Sequence, residues 1–412
     1  MPFFHPTPPA GHPGTGRLPP RQRVALIVAT VVAALVAAFA PTRGGIVAPV
    51  HLAREHRPVA VPPAPERVPF FRQSWVTPRA HTPSVHSSSI CVLPSGDLLA
   101  LWYGGSREGA ADVSLFTARR APGMSEWAAP QTAVNRASAE SELERLVKKV
   151  GNAVIFPDRS GLLWMVYVSV SVGGWSGSAL NVKTSRDEGR TWGGSRRLTL
   201  NPFLNLSSLV RNKPIHATDG RIGLPVYHEL AMKFPQMLWL TPGRDGTVEE
   251  CRIRNLSAES GLIQPTLVPL DGDRVLMVLR DHRPGGRRVH TAYSNDNGWT
   301  WAGAEPSGLP NPDSAVDALR LRDGRVLLVY NHGSHERDIL RLAISGDDGR
   351  TWRPGPVIEA DARREFSYPF LAEDQHGRIH LTYTWLRERI RHVEFNVAWL
   401  DGRSAKLEAG TQ

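Results

Sequence analysis

The sequence predicts an all-β fold: a six-bladed β-propeller of four-stranded antiparallel sheets, preceded by a hydrophobic N-terminal helix. Three observations carry this. The octet Ser-x-Asp-x-Gly-x-Thr-Trp recurs at residues 185–192, 294–301 and 345–352, at spacings of 109 and 51 residues. A turn glycine followed by an apolar run recurs six times, at Gly96, Gly161, Gly220, Gly272, Gly324 and Gly377, with intervals of 65, 59, 52, 52 and 53 residues. No linker-like segment separates these units. A period near fifty residues, with strand-forming residues after each turn, is the signature of radially repeated sheets that bury their faces against one another.

In chain order, residues 1–23 form a Pro/Gly-rich basic tail with Arg17, Arg21 and Arg23 and no acid. Residues 24–40 are 17 residues without charge, read as a signal anchor or a signal peptide. The basic flank before this run predicts an inside N-terminus, with the body exported and either tethered to the membrane or released. Ala38-Phe39-Ala40 has the form of a cleavage site, but Pro41 follows it and disfavours cleavage. Residues 41–69 hold seven prolines and read as an extended linker. Residues 70–412 are the propeller, whose repeats fill 86–400. The last unit runs out of residues after Trp399, so the segment around Phe70 to Val76 is expected to close the ring.

Each octet is a turn fixed to a core. Its Asp can hydrogen-bond the turn backbone, its Gly supplies a positive φ, and its Trp covers the hairpin with a large apolar plate. Degraded copies fall near Thr117 to Trp127 and Thr241 to Val248. The octet carries no chemistry of its own.

The formal net charge of +10 comes from scattered Arg rather than a basic run. That pattern gives no case for nucleic acid and suits anionic glycans. Cys91 and Cys251 fall in non-adjacent units, so no disulfide is expected. No Cys/His cluster has metal-site spacing, and neither metal nor cofactor is implied. The chain is read as a monomer acting on a glycan or polysaccharide.

Function is expected at one end of the central channel, on the innermost strand of each unit, just before each repeated Gly. These strands begin His86-Ser87-Ser88, Gly151-Asn152, Asn212-Lys213-Pro214, Ile263-Gln264-Pro265, Ala315-Val316-Asp317 and Ser367-Tyr368-Pro369. A plain structural channel would carry small or apolar residues there. Convergent polar groups instead make a binding site the default hypothesis.

The octets and six units resemble the sialidase (neuraminidase) superfamily, and within it the bacterial and plant sialidase-like proteins with BNR-type repeats. The octets are Asp boxes in that family. The likeness spans about Val85 to Trp399 and rests on HSSSI at His86, GGSREG at Gly104, NKP at Asn212, IQPTL at Ile263, DALRLRDGR at Asp317 and SYP at Ser367. It implies an exo-acting glycoside hydrolase of sialidase type on terminal acidic sugars. Carried over position by position, Tyr368 falls on the nucleophile, Asp112 on the acid/base, Arg107 on an Arg after the second strand, and Arg280 on an Arg that binds the substrate carboxylate. His86 stands where the family has another Arg. Ile263, with Gln264 beside it, stands where the family has the Glu that activates the Tyr.

The mechanism this implies uses a Tyr nucleophile, the exception among retaining glycosidases. An unperturbed Tyr titrates near 10, so it needs a base. Asp317 is the first candidate and Glu365 the second. Asp112 would protonate the leaving group, given a pKa raised by partial burial. His86, Arg107, Asn152, Lys213, Gln264, Arg280 and Arg391 are the candidate substrate-binding residues. Bland readings stand beside these: Asp112 as a turn residue, Tyr368 as a channel plug, Arg391 as a surface charge. Two other functions remain open, a non-catalytic glycan-binding propeller and a polysaccharide lyase using Tyr368 and His86.

Overall fold

A computed structural model describes residues 19–39, 50–53, 67–201, 205–230, 232–257 and 259–408. Two compact units are distinguished, one holding the N-terminal helix and the other the propeller. The helix runs over Pro20–Phe39, starting four residues before the uncharged run. Among the described residues no helix is long and apolar enough to cross a membrane. The first 18 residues and most of the proline-rich segment lie outside the described residues.

The propeller has six antiparallel sheets. Blades 1 to 5 begin with inner strands Ser84–Val92, Lys149–Pro157, Ser208–Val210 with Ile215–His216, Leu262–Pro269 and Asp317–Arg320. Blade 6 runs Phe366–Glu373, Ile379–Trp385 and Arg389–Phe395, and takes its outer strand from the start of the domain. That outer strand, Phe71–Trp75, pairs antiparallel with Arg389–Phe395, from Phe71 opposite Phe395 to Trp75 opposite Arg391. The ring therefore closes where the sequence placed the closure, and the two ends of the domain share one sheet.

Second strands are buried along their whole length in all blades except the last residue of blade 6, because a central strand in a ring packs on both faces. Apolar side chains from adjacent blades interlock at the seams. Ile90 and Leu98 of blade 1 cluster with Val154 and Trp164 of blade 2, and Leu319 and Leu327 of blade 5 cluster with Leu371 and Leu381 of blade 6.

The three intact octets behave alike. In each, the Ser hydroxyl donates to the Asp carboxylate at 2.7 Å and accepts from the Gly N–H at 2.7–2.8 Å. The Asp accepts from the Thr N–H at 2.7–2.9 Å and from the Thr hydroxyl at 2.5–2.6 Å. These hairpins join the third and fourth strands of blades 2, 4 and 5, on the same face as the repeated turn glycines. Their glycines press on the preceding blade: a Cβ at Gly189 would lie 2.9 Å from Leu99 of blade 1, and one at Gly349 would lie 2.6 Å from Leu276 of blade 4. The octet therefore caps the seam between two blades as well as its own hairpin.

Some structure was not anticipated. A helix, Arg136–Leu143, links blades 1 and 2, started by Asn135 and Ser138 in a reciprocal capping box. Its Glu142 receives Lys183 at 2.8 Å and the Ser195 N–H at 2.7 Å, tying the helix to blade 2. A C-terminal helix covers Val397–Glu408. Part of the segment read as a linker also docks. Val50 is buried beside Trp239, and Leu52 bridges to Ala217 of blade 3.

Gly349→Ala would combine a left-handed φ of +85° with the Leu276 contact. It should cost roughly 2–4 kcal/mol, the sum of a left-handed L-residue and an overpacked seam. Gly346→Ala on the same hairpin meets nothing within 4 Å and should be near neutral. Denaturant unfolding of the two variants measures the difference.

Candidate functional site

Inner strands of the propeller break their pairing at the same depth. In blade 1 the register skips Ser87 and Ser88, in blade 4 Gln264 and Pro265, in blade 6 Tyr368 and Pro369, and in blade 2 Asn152 alone. Ser87, Gln264 and Tyr368 take positive φ values of 53°, 53° and 54°. A non-glycine residue rarely adopts this conformation, and it survives only where surroundings enforce it. Each bulge turns a side chain out of the ladder toward the channel. Asn212 fixes the blade 4 bulge by donating to the carbonyls of Gln264 and Pro265 at 3.1 and 3.0 Å.

Tyr368 is half-buried on its bulge. The His86 ring meets it edge-on with centroids 4.3 Å apart, and the Arg211 and Arg337 guanidinium carbons lie 5.2 and 6.0 Å from its ring centre. Arg280 completes the surround. Burial disfavours its charge, but Tyr368 and Asp313 outweigh that and hold the guanidinium above its usual range. Arg280 donates Nε to Asp313 at 2.6 Å and Nη1 to Gln264 Oε1 at 3.1 Å. Gln264 in turn donates to the Tyr227 hydroxyl at 3.2 Å, as does Asn152. His86, Asn152, Gln264, Arg280 and Tyr368, distant in sequence, thus form one connected cluster.

Expected residues fare differently elsewhere. Asp317 is fully buried and its carboxylate is saturated: it accepts from Lys213 Nζ at 2.7 and 2.6 Å, Thr266 Oγ1 at 2.8 Å and the Leu371 N–H at 2.7 Å. Both Asp317 and Lys213 are therefore engaged with each other at the channel axis. Among the described residues no carboxylate hydrogen-bonds the Tyr368 hydroxyl, which corrects the expectation of an adjacent base. Asp112 is exposed, and hydrogen bonds from the Ser106 hydroxyl and N–H hold it below the usual carboxylate range, the reverse of the expected upward shift. Arg107 is exposed on the same loop. Arg391 lies over the Trp75 ring at 4.1 Å and donates to Gln73 of the closing strand, so it belongs to the rim of blade 6. Glu365 accepts from Arg387 Nε at 2.8 Å and from Ser367 Oγ at 2.7 Å.

Sequence reasoning missed four cations and their partners. Arg337 reaches the Asp313 carbonyl at 2.8 Å and Glu365 at 3.5 Å. Arg387 bridges Glu365 of blade 6 and Glu108 of blade 1, each at 2.8 Å. Burial opposes the Arg387 charge, but both carboxylates raise its pKa. Arg211 is completely buried; its Nη2 donates to the Pro369 carbonyl at 2.7 Å, while Nε and Nη1 have no partner. Lys149 stacks its ammonium 4.0 Å from the Trp175 ring near the same mouth. The signal was available: Arg337 and Arg387 follow the second strands of blades 5 and 6 as Arg107 follows that of blade 1, and Arg280 lies at the end of the second strand of blade 4.

His86 itself is not a carboxylate-binding cation. Burial, and then Arg387, Arg337, Arg211 and Arg280, hold its pKa well below the imidazole range, and neither ring nitrogen has a partner. The neutral ring packs against Tyr368 and Tyr103. Guanidinium groups from blades 3, 4, 5 and 6 thus gather at this mouth, three of them held by carboxylates, and such groups suit a bound carboxylate.

Buried histidines predict the acid response of the fold. His86 and His392 are held well below the usual range by burial, and His228 is lowered to about 4. In the unfolded chain all three titrate near 6.5. Below that pH the unfolded state binds more protons, so stability should fall as pH drops from about 6.5 toward 4. Calorimetric melting across this range tests the slope, and His86→Gln should reduce it. Asp317→Asn would leave half-buried Lys213 without its counter-ion and should cost roughly 3 kcal/mol of stability, read by chemical denaturation.

Comparison with known proteins places this geometry. The description "BNR repeat-like domain" matches residues 96–381. A curated sialidase from Micromonospora viridifaciens is 24% identical over 95% of this chain, which spans about three fifths (62%) of that relative's length. Among solved structures, a Hadza microbial sialidase superposes with a TM-score of 0.67 at 16% identity, covering 80% of this chain and 69% of the other. An intramolecular trans-sialidase from Ruminococcus gnavus, solved with oseltamivir carboxylate, gives 0.63 at 13%, covering 79% and 98%. At these identities the structural likeness is one of fold.

Proposed function

This chain belongs to the BNR repeat-like domain family within the sialidase superfamily, and from that premise we propose that it is an exo-acting glycoside hydrolase that removes a terminal acidic sugar. The observation that supports this most is the seating of Tyr368 on a strained bulge, surrounded by Arg211, Arg280 and Arg337 at one channel mouth. Neutral surroundings would suffice for a channel plug. Guanidinium groups around a half-buried phenol suit both an anionic substrate and a developing phenolate.

In the reaction, the Tyr368 hydroxyl gives its proton to water and its oxygen attacks the anomeric carbon as the glycosidic C–O bond breaks and the leaving oxygen takes a proton from Asp112. Water then cleaves the glycosyl–Tyr bond and releases the sugar with net retention. Arg280 and Arg337 hold the sugar carboxylate. Asp112 is the acid on the loop above the site, and substrate must draw it away from Ser106 for it to carry a proton. Asp317, engaged by Lys213, does not take the Tyr368 proton. Neutral His86 replaces one arm of a three-cation clamp with a flat apolar face, which favours a substrate other than the orthodox one, such as a uronic acid. Export of the propeller is proposed on the three arginines that precede residues 24–40, and a C-terminal reporter active only in the cytoplasm would refute it.

A product screen on sialosides and uronic-acid glycans tests the hydrolase reading. Hydrolysis gives a reducing sugar, whereas lysis gives an unsaturated, ultraviolet-absorbing sugar and a binding protein releases nothing. Tyr368→Phe should lower kcat by on the order of 10^3-fold while ligand affinity is retained. Arg280→Ala should weaken binding of the acidic substrate by roughly 10- to 100-fold, the loss of one charge-assisted contact. Unsaturated product, or full activity in Tyr368→Phe, would overturn the mechanism.

A further inference from the structure

A large cavity opens at the other end of the channel, on the face of the turn glycines and Asp boxes. It measures about 1200 Å³ and reaches inward to Lys213 and Phe370. There the Lys213–Asp317 pair and the Phe370 ring, 5.0 Å from the Lys213 ammonium, plug the channel between this cavity and Tyr368. None of His86, Gln264, Arg280 or Tyr368 lines this cavity.

Its inner walls are apolar, with Ile90, Ile155, Phe156, Leu319 and Phe370, while its rim is cationic. Carboxylates on the rim are already engaged. Asp158 closes its own turn through Ser160, Leu162 and Trp164, Asp219 holds Arg221, and Glu373 lies 3.6 Å from Arg322. Three arginines on the blade 2 and blade 3 side are different. Arg159 donates to the carbonyls of Ala217 and Thr218, Arg186 donates to the Arg244 carbonyl, and among the described residues none of Arg159, Arg186 or Arg244 pairs with a carboxylate. Three exposed guanidinium groups on adjacent turns therefore face one cavity with their charge uncompensated.

We propose that this distal chamber is a second binding site, taking a segment of carboxylate-bearing oligosaccharide. Pockets for one small ligand run to about 1000 Å³, so the volume has room for more than one sugar unit. Apolar walls accommodate the C–H faces of sugar rings, and guanidinium forks on the rim pair with successive carboxylates. The plug keeps such a ligand out of contact with Tyr368. This site holds an anionic chain while the opposite mouth remains free, and it does not depend on catalysis at Tyr368.

Calorimetric titration of the full chain with a galacturonate hexamer tests the proposal. Arg159→Ser, Arg186→Ser and Arg244→Ser combined should weaken one class of binding at least tenfold, and Arg280→Ala should leave that class unchanged. Because Arg159 also holds backbone carbonyls, Arg244→Glu alone serves as a milder variant, expected to weaken the same class several-fold with an unaltered melting temperature. Three results would overturn it: no binding of the hexamer, loss of all binding in Arg280→Ala, or full affinity in Arg244→Glu and the triple variant. Tighter binding of tripolyphosphate than of the hexamer would reject the carbohydrate class.

Discussion

At the axis of the propeller, four blades meet on one carboxylate. Asp317 belongs to blade 5 and receives Lys213 from blade 3, Thr266 from blade 4 and the Leu371 N–H from blade 6. A ring of sheets has apolar seams between neighbours but little to fix the angle of each blade about the axis. A fully buried charge with three donor groups does that, because any blade that drifts leaves an ion or a polar group uncompensated in a low dielectric. The plug it forms also divides the channel. Everything proposed for either mouth depends on that division.

Chemistry at the upper mouth is aimed by backbone distortion. Bulges at equivalent depth on the inner strands turn Ser87, Gln264 and Tyr368 toward the channel through left-handed backbone, and Asn212 and Arg211 brace the bulges of blades 4 and 6. Repetition of one strained geometry explains how a fold of near-identical units can hold different residues in one site. The blades supply the same backbone, and the sequence varies only what the bulge presents. Gln264 and Tyr368 occupy matching places in blades 4 and 6, which is why the amide contacts Arg280 as the phenol does.

Charge around Tyr368 is distributed through an alternating chain that crosses a blade seam. Arg280 and Asp313, Arg337 and Glu365, Arg387 and Glu108 run from blade 4 through blade 6 to blade 1. Three guanidinium groups alternate with three carboxylates in this chain, so each cation is positioned by a counter-ion, while buried Arg211 has only the Pro369 carbonyl as its hydrogen-bond partner. His86, deep among them, stays uncharged because protonation would add a fifth cation to a buried group.

Much of the fold was legible in the residues. Turn glycines followed by apolar runs, and octets whose Ser, Asp, Gly, Thr and Trp satisfy one another locally, set six units, the closure near Phe71 and the face on which the hairpins lie, because all of these depend on short-range hydrogen bonds and strand periodicity. The place of Tyr368, Arg280 and Gln264 on inner strands was legible for the same reason. Partnership was not. Asp317 looked like a base until Lys213, 104 residues away, proved to hold it, and Asp112 looked like a raised acid until Ser106 lowered it. Arg337, Arg387 and Arg211 were not singled out at all. Which cation meets which anion across a ring depends on how the blades are turned against one another, and only packing in three dimensions decides that.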